Sequence, residues 1–129
     1  DDVFAYNLPN DFDYTNHGVL SRNQVSALLR KSHLFIDLSD YQAFGRTGLE
    51  AMACGCVSLV PSTGGTDEYI SHGKNGYAVD PREECNVLKT IEQFCYHVSA
   101  QEVMRREAIE TSMKFSVRKA TISVLQLFN

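Results

Sequence analysis

The sequence predicts an α/β fold, a doubly wound parallel sheet with helices on both faces. Three observations carry this. Short apolar runs recur at Leu34–Leu38, Val57–Val60 and Tyr77–Val79. Segments with helical periodicity and capping residues alternate with them. The runs are too short and too apolar for half-exposed strands, so both sheet faces are covered.

Composition fits one domain. The chain has 129 residues, within the ~100–200 usual for a domain. It is 43% hydrophobic and 22% charged, which suits a packed core and not a disordered chain. The net charge is −4 and no segment is strongly basic, which argues against nucleic acid or an anionic membrane as partner. No apolar run approaches the ~18–20 residues of a membrane helix. The opening Asp1-Asp2-Val3-Phe4 lacks the basic and apolar regions of a signal peptide. It also lacks an initiator Met, and we expect the chain to be part of a larger protein.

The elements follow in order. Val3–Tyr6 and Val19–Leu20 are candidate strands, with a turn at Pro9-Asn10-Asp11. Ser21 and Gln24 form a capping box that opens a helix with Val25, Leu28 and Leu29 inward. Leu34–Leu38 is a strand and Ser39–Gly45 a loop. Thr47–Ala53 is a helix closed by Gly55. Val57–Val60 is a strand stopped by Pro61, followed by a turn at Ser62–Gly65. Thr66 caps a short helix over Asp67–Ser71. Asn75-Gly76 is a tight turn before the Tyr77–Val79 strand. Asp80-Pro81-Arg82-Glu83 opens a helix with Leu88, Ile91, Phe94, Cys95 and Val98 inward. Ser99 and Glu102 cap another. A last helix runs from about Ser116, with Val117, Val124, Leu125 and Phe128 inward.

The four cysteines, Cys54, Cys56, Cys85 and Cys95, have neither CxxC nor zinc-finger spacing. They read as free thiols, with Cys54 and Cys56 in an apolar stretch and Cys95 on an apolar helix face. No metal site is expected.

Ligands of such sheets sit at the carboxyl ends of the strands. The first loop there, Ser39–Gly45, runs into a helix whose free N–H groups suit a diphosphate. Gly45 and Gly48 let a ligand approach the backbone. Glu50 suits the hydroxyls of a ribose. Thr47-x-x-Glu50 is equally a capping box, so Glu50 reads as cap or ligand group. Arg46 reads as a surface charge or as a cation beside phosphates. Gly64 and Gly65 read as a cleft loop or as a plain turn.

Several motifs then occur in a fixed order: Phe35-Ile36-Asp37-Leu38-Ser39, Phe44-Gly45, Leu49-Glu50-Ala51-Met52-Ala53-Cys54-Gly55, Gly64-Gly65-x-x-Glu68-Tyr69-Ile70, and Gly73-x-Asn75-Gly76-Tyr77-Ala78-Val79. Together they resemble the C-terminal, donor-binding lobe of GT-B glycosyltransferases, the retaining family 4-like group. The resemblance covers about residues 17–81, and the helices of 82–129 are compatible with it. It implies a Rossmann-like lobe that binds a nucleotide-sugar donor and uses no metal. Gln42, Ala43, Phe44, Gly45, Arg46, Thr47 and Glu50 would line the donor site, with Gly64 and Gly65 facing the cleft. The family motif has two glutamates, the second falling on Glu50, at the ribose. The first falls on Gln42, where the family meets donor-sugar hydroxyls, and Gln carries no charge.

The family's phosphate-binding Arg and Lys and its acceptor lobe match nothing in this chain. The resemblance thus implies a fragment inactive by itself, from a cytoplasmic enzyme of bacterial surface polysaccharide assembly at the inner face of the membrane. Its acceptor would be a glycan or lipid-linked sugar. A rival reading is a non-catalytic nucleotide-binding or interaction module of the same fold, which Gln42 favours. A receiver-like domain has only Asp37 and Asp40 in its support. A lobe without its first strands exposes a sheet edge, so self-association is expected. Light scattering near millimolar concentration should show species larger than one chain, and a pure monomer contradicts this.

Overall fold

The computed structural model describes residues 12–116 together with positions 119 and 126. The expected elements at residues 3–11 and the inward positions Val117, Val124, Leu125 and Phe128 lie outside the described residues. The order is α1 (Arg22–Lys31), β1 (Leu34–Ile36), α2 (Arg46–Ala53), β2 (Val57–Pro61), a 3₁₀ turn (Gly65–Glu68), β3 (Gly76–Val79), α3 (Glu84–Tyr96) and α4 (Val98–Lys114). The strands form one parallel sheet in the order β1-β2-β3. Leu34 pairs with Val57, and Ser58 with Gly76.

Every residue of β2 is buried, as a central strand covered on both faces requires. Its side chains alternate between two cores. Val60 joins Leu49, Met52, Tyr69, Ile70 and Ala108 on the face covered by α2 and α4. Leu59 joins Val79 and Val87 on the face covered by α3. Val57 packs with Phe94 and Met104 between α3 and α4. Buried Ser58 donates its hydroxyl to the Gly48 carbonyl at 2.8 Å, which joins α2 to the sheet and satisfies a polar group inside it. The doubly wound α/β fold expected from the sequence is the fold observed.

Local differences have local causes. Val19–Leu20 forms no strand, and Val19 is 94% exposed. β1 stops at Ile36, before Asp37 turns its carboxylate back onto the backbone of Ser39 at 3.0 Å. The Ser21–Gln24 capping box forms as expected. α2 begins at Arg46, because Gly45 takes the cap position in the left-handed region. Pro61 belongs to β2 and does not stop it short.

Thr66 is no cap. It is buried inside the 3₁₀ turn and donates its hydroxyl to the Pro61 carbonyl at 2.6 Å. The expected helix over Asp67–Ser71 is that short turn, and Tyr69 and Ile70 go into the core. Asp80 caps a turn, accepting from the Arg82 N–H at 3.0 Å, so α3 starts only at Glu84. Phe94 and Ile91 face inward as expected, together with Val87 and Thr90, while Leu88 and Cys95 are exposed. Val98 opens α4, exposed, and His97 takes the cap expected of Ser99.

Met52 is fully buried where α2 faces α4 and the sheet. Met52→Ala should therefore cost about 2–5 kcal/mol in chemical denaturation. A loss under ~1 kcal/mol would contradict the packing described, since burial of this side chain alone exceeds that.

Candidate functional site

Two loops leave the carboxyl ends of β1 and β2 and meet. The Gln42 carbonyl accepts from the Gly65 N–H at 2.9 Å, and Gln42 and Gly64 form a parallel bridge. Only glycine allows this approach. A Cβ on Gly64 would lie 1.9 Å from the Gln42 carbonyl oxygen, and Gly64 has φ 105, a conformation that side chains disfavour. A Cβ on Gly65 would lie 2.2 Å from the Ala43 oxygen. Thr63 adds a side-chain bond to the Asp40 carbonyl at 3.0 Å. Gly64 and Gly65 are thus more than a turn. They join one strand-end loop to the other.

A second clasp holds the start of α2. Tyr69, 3% exposed, donates its hydroxyl to the Gly45 carbonyl at 2.6 Å. Phe44 packs against Tyr69 at 5.5 Å and against Phe115 at 6.0 Å between ring centroids. Among the described residues, the Arg46 and Thr47 N–H groups take no backbone acceptor. They point from the leading turn of the helix, where its dipole is positive.

Gln42 is half-buried and donates its amide to Asp37 at 2.9 Å and to the Ser39 hydroxyl at 2.7 Å. Glu50 stands apart from it. No capping box forms at Thr47-x-x-Glu50, because the cap is Gly45, and Glu50 instead pairs with Arg46 at 3.1 Å. Both side chains are more than half exposed, so the pair adds little stability. They line a cleft of about 610 Å³ between α1 and α2, together with Leu20, Val25, Ser26, Leu29 and Cys54.

The structure thus gathers Gln42, Ala43, Phe44, Gly45, Gly64 and Gly65 at one end of the sheet, with Arg46 and Thr47 leading α2 beside them. Glu50 lies on an adjoining face of α2. Sequence reasoning missed Tyr69 as a support of this site. Its partner is 24 residues away, and no local pattern marks such a contact. Asp37 reads from the sequence only as one of two acids, with Asp40, and its hold on Gln42 goes unmarked there.

Among the described residues no group of three or more His, Cys, Asp or Glu is placed to hold a metal. Cys54 and Cys56 are free thiols. Burial pushes the Cys56 thiol up to about 11, the nearby Arg105 opposing the rise, which leaves it an inert core thiol.

Burial pushes the Tyr69 phenol up to about 12 from an ordinary 10.0, with the Asp37 carboxylate adding to the rise. Below the ordinary value the phenol is neutral in both states and its bond to Gly45 contributes in full. Above it the unfolded chain ionises first, so stability falls as pH rises through about 12. Denaturation of Tyr69→Phe should show a loss of about 1 kcal/mol near neutral pH. The difference from wild type should then shrink across this alkaline window. A difference that stays constant with pH contradicts the buried hydroxyl bond.

The comparisons with known proteins point one way. A family model described as glycosyl transferases group 1 matches residues 5–111. A sucrose synthase of Solanum tuberosum is 45% identical over 47 residues, 36% of this chain and 6% of that protein. The N-acetyl-alpha-D-glucosaminyl L-malate synthase of Bacillus anthracis is 43% identical over 56 residues, 43% of this chain and 15% of that protein. The chain therefore spans only a small part of these relatives. Among solved structures, Anabaena HepE in complex with UDP superposes with a TM-score of 0.71 at 24% identity, over 79% of this chain and 29% of that one. The C-terminal domain of the group 1 family protein LpcC from Francisella tularensis gives 0.70 at 20% identity, over 78% of this chain and 52% of that one. These likenesses carry the fold, and the model match over most of the sequence carries the family, so this chain belongs to the glycosyl transferases group 1.

Proposed function

We propose that this chain is the donor-binding part of a retaining glycosyltransferase, one that moves a sugar from a nucleotide diphosphate to a glycan or lipid-linked acceptor. The observation that carries the reading is the pair of strand-end loops locked together beside the open leading turn of α2. A diphosphate suits that turn, since free amides and the helix dipole stabilise the negative charge that grows as the sugar departs. Gln42, Ala43, Phe44 and Gly45 would meet the sugar. Arg46 and Thr47 would meet the phosphates, with Arg46 sharing its charge between them and Glu50. The Glu50 carboxylate, exposed on the cleft, would accept from the two ribose hydroxyls. No metal has a part in this reading. The UDP bound by HepE supports it.

Further assignments belong to the same proposal. The acceptor and the remaining phosphate contacts would come from parts beyond this chain, which by itself would be inactive. The setting would be bacterial surface polysaccharide synthesis on the cytoplasmic side of a membrane. A second reading, a non-catalytic nucleotide-binding module, is favoured by one observation. Gln42 is neutral, and its amide hydrogens already have protein partners.

Ligand-observed NMR of UDP, GDP, TDP and ADP against this chain tests the proposal. One nucleotide should bind, and Glu50→Ala should weaken it roughly tenfold, the scale of one hydrogen bond to a charged group. Equal binding by the variant contradicts the role of Glu50. No binding by any of the four contradicts donor binding by this chain.

A further inference from the structure

The side chain of Gln42 is not free to turn. Its Nε2 lies 2.9 Å from Asp37 Oδ2 and 2.7 Å from Ser39 Oγ. Asp37 Oδ1 in turn receives the Ser39 N–H at 3.0 Å and the Ser39 hydroxyl at 2.7 Å. A proton count fixes every direction. A carboxylate only accepts, so the nitrogen end of the amide must face Asp37. Ser39 has one hydroxyl hydrogen, which goes to Asp37, so its oxygen accepts the second amide hydrogen. Both hydrogens of Nε2 are then used. Among the described residues no protein group donates to Gln42 Oε1.

We propose that Asp37 is a positioning residue that, acting through Gln42, sets which partner the sugar subsite accepts. It turns the amide so that Oε1 stands as a fixed, uncharged acceptor, and the sugar must present a hydroxyl as donor there. This rests on the donor-binding reading above. It also explains why Gln occupies this position. A glutamate would set a second carboxylate against Asp37 at the 2.9 Å separation now bridged by the amide. Like charges so close disfavour each other's ionisation. The residue pair Asp37 and Gln42 is therefore one unit, with one carboxylate and one amide. Exchanging the two groups should preserve it. In the double variant Asp37→Asn with Gln42→Glu, the amide at 37 donates to the carboxylate at 42.

The experiment compares wild type, Asp37→Asn, Gln42→Glu and the double variant, each checked for folding by circular dichroism. Three readouts are taken on this chain: the Gln42 side-chain amide signals in a ¹⁵N spectrum, the unfolding midpoint, and the affinities for UDP and UDP-glucose. The Gln42 amide signals should move in Asp37→Asn. Gln42→Glu should lower the midpoint and weaken UDP-glucose relative to UDP by roughly tenfold, the effect of one pKa unit of interaction. The double variant should recover most of both losses, which a merely structural defect at either residue would not do. Unmoved amide signals, or a double variant no better than Gln42→Glu, overturn the proposal. If wild type binds neither UDP nor UDP-glucose, the donor-binding reading fails, and the sugar part of this inference with it. The amide signals and the midpoint rescue then still decide whether Asp37 holds Gln42.

Discussion

The backbone contact between Gly64-Gly65 and Gln42-Ala43 is the constraint from which the rest of the site follows. Two loops leaving neighbouring parallel strands can touch main chain to main chain only where no side chain stands between them. A Cβ at either glycine would lie within 2.2 Å of a carbonyl oxygen. Once the Gly65 N–H reaches the Gln42 carbonyl, the chain after β2 must turn sharply. The short 3₁₀ turn does this, with buried Thr66 tied back to Pro61. That turn delivers Tyr69 beneath the start of α2, where its hydroxyl holds the Gly45 carbonyl. The leading amides of α2, the aromatic cluster of Phe44, Tyr69 and Phe115, and the polar unit of Asp37, Ser39 and Gln42 all sit on this frame.

The frame and the exposed groups beside it have different physical characters. Gly45, Gly48, Thr66 and Tyr69 are buried and fixed by packing and hydrogen bonds. Arg46 and Glu50 are exposed, and their ion pair at 3.1 Å is weak in water. A packed backbone platform with exposed charged groups at its rim suits a charged ligand. The platform costs no ordering on binding, and the weak pair gives up little when either group turns to a new partner. This is the physical sense in which family membership and site geometry support the same proposal.

Much of the fold was legible because it is written locally. The apolar runs at Leu34, Val57 and Tyr77 became the three strands, and the Ser21 capping box formed as read. What failed depended on tertiary context. Tyr69 and Ile70 look like part of a helix after an acidic first turn, but the strand-end clasp draws them into the core. Asp80-Pro81 has the chemistry of a helix start, yet its carboxylate closes a turn first and α3 begins only at Glu84, where the core takes Val87 and Thr90 beside the expected Ile91 and Phe94 and leaves Leu88 exposed. In the site, the loop residues and the glycines were legible from type and spacing. The support given by Asp37 and Tyr69 was not. The Asp37 contact reverses within a loop whose shape no local rule fixes, and the Tyr69 contact spans 24 residues.

Native-state amide hydrogen exchange of Gly65 in the ligand-free chain tests the central claim most directly. If the two loops are locked before any ligand arrives, the Gly65 N–H should exchange as slowly as the amides of β2, opening only with the sheet. Exchange at the rate of an exposed loop, such as the Gly18 amide, would mean that the two loops are not locked in the free chain, and would contradict a preformed platform.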